Sequence, residues 1–273
     1  MGEGVSLGNP SIEGVLKKNF LETVRPRAEK IVKSYRIEEK NFTSYNPEQV
    51  ERDVEVGLEK KAVRESSEGE LLANVAIAII LEQIGTRKWF GEGALAIKTS
   101  NYDEGQGIRL LIEFQRKDGT SWLALATDIV FADGLWRKSE RTKERIKEGK
   151  WGSIKYFHSE RSGITGKLDY LPEAAIAVES KKALIELGQL YFFEKDQKDE
   201  SAIRELEIRL ARFYQQMLGG LRAQLKEFSS CADEGVRQAQ QKREPDLGAR
   251  RVVAGAYKRA LDMVERAVQN NGK

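Results

Sequence analysis

Acidic side chains near or within apolar stretches are the residues of this chain whose type and spacing could do chemistry. The 273-residue sequence has one histidine, His158, and one cysteine, so it cannot build a zinc site of His and Cys ligands by itself. Any metal would be held by carboxylates, and carboxylate ligands favour Mg²⁺ or Mn²⁺. A divalent ion held in this way can activate water for hydrolysis. The carboxylates considered for such a site are Glu70, Asp103, Glu113 and Asp128.

One of these acids, Asp128, faces a basic residue if two strand-like runs form a hairpin. Residues 108–115 and 122–131 have the apolar patterning of strands, and Asp118–Gly119 between them is typical of a two-residue turn. In that register the numbers of paired positions add up to 237, as 118 and 119 do, so Arg109 lies opposite Asp128. Facing residues have Cβ atoms about 5 Å apart, and we therefore expect an ion pair between them.

The elements around these residues predict a mixed α/β layer. Residues 69–84 are apolar nearly all round, which predicts a buried helix that Gly85 ends. Three strand-like runs follow. After them come a charged helix at about 136–148, a glycine-punctuated loop, a fourth strand at 174–178 and a helix at 181–193. This order predicts one mixed sheet of about four strands flanked by helices. Lys98, at the end of the first strand, has the pattern of a surface lysine.

Helical segments flank this core. Helix starts are indicated near Ser11, Pro26 and Asn46, and two amphipathic helices after Asp196 predict a C-terminal hairpin broken near Pro245. We expect three regions: 1–68, 69–195 and 196–273. The apolar seam of the first C-terminal helix must bury against its partner helix, the α/β core or another subunit. Its residues are Ile203, Leu206, Leu210, Phe213, Met217, Leu221, Leu225 and Phe228.

The order of elements over 69–195 resembles the PD-(D/E)XK nuclease superfamily, whose core runs helix, three strands, helix, strand. That family holds an acid on the second strand and a (D/E)-x-K signature on the third, and the first helix often adds a glutamate. The resemblance implies a restriction-endonuclease-like sheet that binds Mg²⁺ to cleave phosphodiesters. Asp128 matches the signature acid and Glu70 the helix glutamate, but Val130 replaces the lysine and Arg109 the second-strand acid. Because arginine stays charged and repels Mg²⁺, we expect a degenerate site that holds a salt bridge.

A second alignment keeps a full set of ligands. Asp103, followed by Glu113 and Gln115, fits the family spacing with glutamine in place of lysine. Here the catalytic residues are Asp103, Glu113, Gln115 and Asp128, and the residues that hold Mg²⁺ or Mn²⁺ are Asp128, Glu113 and Glu70. In the plainer interpretation Glu113 is only an ion-pair partner of a nearby arginine, and Asp103 lies in a glycine-rich loop.

Positive charge is concentrated in one segment. Between Trp136 and Lys167, ten Lys and Arg stand against four Glu, a balance of +6 in a chain whose net charge is +3. Such a segment indicates a polyanionic partner such as DNA or RNA, although a solvated helix face and loop would look the same. His158, in this segment, has the pattern of a loop surface residue. The predicted nucleic-acid contacts are Lys143, Lys147, Lys150, Lys155 and Arg161.

Composition narrows the protein class. No window approaches eighteen uninterrupted apolar residues, so we expect no membrane span, and residues 1–10 lack the layout of a signal peptide. The single Cys231 fits a reducing compartment and predicts a cytoplasmic protein. Three functions remain: a nucleic-acid-associated protein of nuclease ancestry without catalysis and with no cofactor, an active Mg²⁺-dependent nuclease, or a scaffold that assembles through the helix at 201–229. The first is the one we expect.

Overall fold

The computed structural model describes residues 23–65, 68–115, 122–193 and 199–270. Its helices are α1 Arg25–Ser34, α2 Pro47–Glu65, α3 Glu68–Arg87, α4 Asn101–Gly105, α5 Ala132–Lys147, α6 Lys181–Phe192, α7 Glu200–Lys242 and α8 Leu247–Asn270, with a 3₁₀ turn at Glu39–Asn41. Its strands are β1 Ala94–Lys98, β2 Leu110–Gln115, β3 Trp122–Phe131, β4 Gly152–His158, β5 Thr165–Leu171 and β6 Glu173–Val178. The predicted starts at Pro26 and Asn46 are confirmed by α1 and α2, whereas the one near Ser11 lies outside the described residues.

A mixed four-stranded sheet forms the centre, and this confirms the predicted α/β class. The strand order is β1-β2-β3-β6. The first three strands are antiparallel, and β6 runs parallel to β3. Helix α5 lies in the crossover between β3 and β6, because parallel neighbours cannot be joined by a tight turn. One continuous apolar core includes Val24 and Ala28 near the N-terminus, the sheet and the C-terminal helices.

Helix α3 is apolar all round because protein covers it on several sides. It packs on α1, α6 and strand β1. Its segment Gly69–Arg87 is long and apolar enough to cross a membrane by length and composition, with a mean hydropathy of 1.3, but 67% of it is buried inside the protein. A core helix therefore accounts for it. The prediction that Gly85 ends this helix is wrong, since α3 continues to Arg87 and the backbone turns at Lys88, whose φ is 57°.

The loop expected after α5 is instead a second, two-stranded sheet of β4 and β5. Two register shifts interrupt its pairing, between Gly152 and Ile154 and between Ile154 and Phe157. A bulge of this kind breaks the in–out alternation, so the neighbours Tyr156 and Phe157 are both fully buried. Without a period of two, the segment has no clear strand pattern in the sequence.

The C-terminal hairpin covers the β6 edge of the sheet. The seam of α7 from Leu206 to Phe228 is buried against β6, α5, α6 and α8 of the same chain, whereas Ile203 is 40% exposed. The predicted partner surface at 201–229 is therefore mostly occupied within the chain. Helix α7 also runs on to Lys242, because the small residues Ala232, Gly235 and Ala239 let α8 pack closely.

We expect Phe213→Asp to destabilise the fold. Phe213 is 7% exposed and packs near Trp89, so a carboxylate there would be buried without a partner. The free energy of unfolding should fall by about 3 kcal/mol or more in chemical denaturation. Ile208→Asp, on the same helix but 50% exposed, is the matched control and should change it by less than about 1 kcal/mol. Equal effects of the two substitutions would contradict a buried seam.

Candidate functional site

Arg109 and Asp128 lie together at the end of the β2–β3 hairpin that is opposite its turn. The strands pair in the predicted register, with Leu110 opposite Thr127 and Gln115 opposite Trp122. The Arg109 N–H continues the ladder by donating to the Thr127 carbonyl at 3.0 Å. Arg109 Nε lies 3.1 Å from Asp128 Oδ1, so the predicted ion pair is confirmed. The turn at 118–119 lies outside the described residues.

Two further side chains complete what we call the hairpin-end cluster: Glu70, Arg109, Asp128 and Lys138. Glu70, in the first turn of α3, places Oε2 2.8 Å from Arg109 Nη2. Lys138, on α5, places Nζ 3.0 Å from Asp128 Oδ2. Side-chain exposure rises from 5% for Glu70 to 28% for Lys138. The cluster is thus shielded at the α3 end and open to solvent at the α5 end.

The arrangement of charge in the cluster is that of an ion-pair network. The guanidinium of Arg109 lies between the carboxylates of Glu70 and Asp128, in the place where a divalent ion bound to both would have to lie. Arginine cannot be deprotonated in a protein, so this cation is permanent. Val130 adds no charge, since it lies two residues beyond Asp128, opposite Ala177 of β6. Within the described residues, no three His, Cys, Asp or Glu side chains are grouped closely enough to hold a metal ion.

Glu113 lies in a different place. It is fully buried, and it accepts hydrogen bonds from Trp122 Nε1 and, at 2.7 Å, from Ser159 Oγ. Glu113 is four positions further along the chain than Arg109, a distance of roughly 13 Å in an extended strand. Glu113 therefore cannot share an ion with Glu70 and Asp128, and the predicted ligand set of these three residues does not come together.

Asp103 belongs to the short helix α4 and holds β4 in place. Its carboxylate accepts from the backbone N–H groups of Lys155 at 2.7 Å and Tyr156 at 3.1 Å, and from Ser100 Oγ at 2.8 Å. Burial raises its pKa to about 6, against the lowering effect of these donors. Gln115, at the far end of β2, is only partly buried. Asp103, Glu113, Gln115 and Asp128 are thus not assembled into one site.

Two charged groups are absent from the sequence-based prediction. The first is Lys138, ten residues after Asp128. Helix α5 begins directly after β3 and folds back, which brings Lys138 to the Asp128 carboxylate. The second is a buried triad of Arg36, Lys98 and Glu104, in which Glu104 Oε2 lies 2.8 Å from both Arg36 Nη1 and Lys98 Nζ.

Lys98 is completely buried, contrary to its surface-like pattern. Its ammonium forms an ion pair with Glu104 but no well-aligned hydrogen bond, and burial lowers its pKa to about 7 despite that carboxylate. The Lys98 and Arg36 charges lower the pKa of Glu104 to about 2, although burial alone would raise it.

Four of the five predicted nucleic-acid contacts are already engaged in ion pairs or hydrogen bonds within the protein. Lys143 pairs with Glu140 and Glu227, Lys150 with Glu148, and Lys155 with Asp53. Arg161 donates to the carbonyl groups of Gly93 and Glu92. Lys147 is exposed at the end of α5. His158 is exposed as expected, but it lies on β4 and contacts Thr165 Oγ1 at 2.9 Å.

Comparison with protein-family models, curated proteins and solved structures found no match to this chain. The site is therefore interpreted from its own geometry.

We expect Arg109→Ala to lower the free energy of unfolding by about 2–3 kcal/mol at neutral pH. This lies between the ~1 kcal/mol of an exposed ion pair and the ~3–5 kcal/mol lost when one partner of a buried pair is removed. Arg222→Ala, which breaks the exposed pair with Glu265, is the matched control and should cost less than about 1 kcal/mol.

Arg109→Asp should be less stable still in chelator, because it brings three carboxylates together with only Lys138 to offset them. Millimolar Mg²⁺ or Mn²⁺ should then recover part of the loss, measured as a rise in Tm, whereas the parent chain should show no such rise. A parent that is stabilised by Mg²⁺ as strongly as this variant would contradict the view that Arg109 fills the metal position.

The buried carboxyl of Asp103 predicts a pH dependence. A folded-state pKa near 6, above the ordinary aspartate value of about 3.9, means that the contribution of this carboxyl to stability is present below pH 4 and lost as the pH rises through 6. We expect the parent chain to lose up to about 3 kcal/mol of unfolding free energy over this range relative to Asp103→Asn, which mimics the neutral acid. Denaturant titrations at pH 4, 5, 6 and 7 measure it. A constant difference between the two proteins would show that the carboxyl does not titrate there.

Proposed function

We propose that this chain is a nucleic-acid-associated protein with a nuclease-like core in which Arg109 has taken the place of the catalytic metal. The observation that carries the proposal is the position of Arg109 between Glu70 and Asp128, at 2.8 and 3.1 Å. Support also comes from the element order: α3, β1, β2, β3, α5 and β6 occur in the sequence implied by the PD-(D/E)XK resemblance, with α4 inserted between β1 and β2 and the β4–β5 hairpin inserted before β6. A cytoplasmic location belongs to the same proposal, since the lone Cys231 has no internal partner for a disulfide.

An active Mg²⁺-dependent nuclease is less well supported by the same geometry. To bind an ion, Glu70 and Asp128 would have to release Arg109, which would leave a guanidinium unpaired in a site where its side chain is only 14% exposed. The alternative ligand set requires Glu113, whose carboxylate is already bound by Trp122 and Ser159.

The outer face of α5 is the surface that we assign to nucleic acid. Trp136 is 70% exposed, and Arg137, Arg141 and Lys147 are exposed cations without an ion-pair partner in the part of the chain that the structure describes. At 100° per residue, these four positions fall within an arc of roughly 140°. An exposed indole beside cations suits stacking on the bases of a single strand, with the cations near its phosphates.

This face favours weak and salt-sensitive binding. Asp133 and Glu144 are exposed within the same arc, and Glu140, which pairs with Lys143, lies in it as well, so the positive charge of the three cations is offset by carboxylates. Affinity must then depend on the stacking of Trp136 as well as on charge. Lys138 on the same helix connects the face to the hairpin-end cluster.

A scaffold role through the C-terminal helices has no comparable support. The seam of α7 is buried against its own chain, as Met217, Leu221 and Leu225 at 0% exposure illustrate.

We expect single-stranded DNA or RNA oligonucleotides to bind in chelator at low salt, measured by fluorescence anisotropy. Trp136→Ala should weaken binding by roughly 5- to 160-fold, which corresponds to about 1–3 kcal/mol for one stacked base. Arg137→Ala with Arg141→Ala should reduce the slope of log K against log salt by about 1.4, since each phosphate contact on a single strand contributes ~0.7.

The matched control is Arg222→Ala with Arg266→Ala, on exposed faces of the C-terminal hairpin. It should leave the slope unchanged. No binding at low salt, or binding that ignores the α5 substitutions, would contradict the nucleic-acid role. Mg²⁺-dependent cleavage that Asp128→Ala abolishes would establish an active nuclease instead.

A further inference from the structure

The two edges of the central sheet differ in how completely their backbone groups are hydrogen-bonded. At the β6 edge, Ala175 exchanges two hydrogen bonds with the side-chain amide of Gln224, at 2.9 and 2.7 Å, and the Glu173 N–H donates to Tyr257 Oη at 3.1 Å. The C-terminal hairpin thus satisfies this edge much as another strand would. At the β1 edge, the part of the chain that the structure describes forms a single bridge, between Arg36 and Lys98. An unsatisfied edge is a template for pairing with another chain.

The hydrogen bonds of β1 show which of its groups remain open. The Gly93 carbonyl and the Thr99 N–H bond to residues of the β2 side, Gln115 and Arg109, so the odd-numbered positions of β1 face β2. The backbone N–H and C=O groups of the even-numbered positions therefore point away from β2, towards the open edge of the sheet. At Lys98 both backbone groups are paired, because its N–H donates to the Tyr35 carbonyl and its carbonyl accepts from the Ile37 N–H.

The next even-numbered position, Ala96, has backbone groups that the described residues leave unpaired. The N–H of Ala94 is taken by the carbonyl of Gly91, but within the described residues the Ala96 N–H and C=O have no partner. Ala96 is nevertheless only 2% exposed. Backbone groups at that depth are nearly always paired, so this position calls for a ligand that presents its own main chain.

A groove with a volume of about 530 Å³ lies along this edge. Leu95, Ala96 and Ile97 form its floor. Ile37 and Phe42 also line it, as do Ser159 and Thr165 at the end of the β4–β5 hairpin. Such a groove offers main-chain pairing along its floor and apolar space for every second side chain of an added strand.

The charges of the groove select the occupant. Glu38 and Glu160 line it; Glu38 is partly exposed and pairs with the exposed Lys40 at 3.3 Å, whereas Glu160 is exposed and has no ion-pair partner among the described residues. Among the described residues that line the groove, Arg36 is the one Lys or Arg, and Glu104 compensates it at 2.8 Å. A strand with basic side chains is therefore complementary to this groove.

We propose that the β1 edge binds an extended peptide of a partner protein, with Lys or Arg alternating with apolar residues, which adds to the sheet as a fifth strand. The short bridge of Arg36 and Ile37 to Lys98 already shows the pairing that the peptide continues towards Ala96. The proposal rests on β1 and its groove, and it does not depend on the role of the hairpin-end cluster.

A fluorescent peptide of alternating Lys and Val, seven residues long, is the probe for the full-length chain. We expect saturable binding by anisotropy, and at least tenfold slower hydrogen exchange of the Ala96 amide in the complex. Two further peptides have the same sequence but are N-methylated at every second residue, one at the odd and one at the even positions. N-methylation removes the N–H donors along one edge of the added strand. The peptide that loses the donors facing β1 should bind at least tenfold more weakly than the other. A Glu–Val peptide should show a similar loss.

The protein variant for the charge argument is Glu38→Lys with Glu160→Lys, which should weaken binding of the Lys–Val peptide at least tenfold. Glu148→Lys with Glu234→Lys adds the same charge at exposed positions elsewhere and should leave binding unchanged. Four results would overturn the proposal: no binding to the full chain, equal binding of both methylated peptides, unchanged exchange of Ala96, or protection of Ala96 by a dimer of the chain that the peptide does not displace.

Discussion

The register in which β2 pairs with β3 determines which side chains of both strands reach the core. Leu110, Ile112 and Phe114 point towards α3, while Leu111 and Glu113 point towards the β4–β5 layer. A slip of one residue would exchange these two sets, because the side-chain period of a strand is two. Charged groups would then enter the main core. The ion pairs at the end of the hairpin, the burial of Glu113 and the packing of α3 all require this one pairing.

In the hairpin-end cluster, the repulsion between two carboxylates is offset by a cation that belongs to the chain itself. Two carboxylates brought this close repel each other unless a positive charge lies between them. A divalent ion would offset that repulsion only when bound, whereas Arg109 offsets it as soon as the hairpin forms. Folding of the region is thereby independent of ion supply.

The sequence was sufficient for features that depend on local patterns. The Asp118–Gly119 turn and the apolar runs on both sides of it give the strand register, and through it the pairing of Arg109 with Asp128. Features that depend on distant partners could not be predicted in this way. Lys98 is buried because Arg36 and Glu104 converge on the end of β1, and no periodicity in the sequence indicates such a meeting.

The β4–β5 hairpin was missed for a different reason. Its bulges place Tyr156 and Phe157 on the same side, which removes the alternation by which a strand is recognised. The candidate site was affected too, because Asp103 and Glu113 find their partners on and just after β4. Once that hairpin is in place, both acids are structural groups, and only Glu70 and Asp128 remain at the position where the nuclease resemblance places its ligands.

Helix α7 has 43 residues, which at 1.5 Å per residue is a rigid rod of about 65 Å. A compact sphere of 273 residues would have a diameter of about 48 Å. The rod is longer than such a sphere is wide, so the C-terminal hairpin gives the molecule a long axis. Rotational diffusion about that axis is faster than end-over-end tumbling, and backbone N–H bonds parallel to α7 relax on a different timescale from those in the sheet.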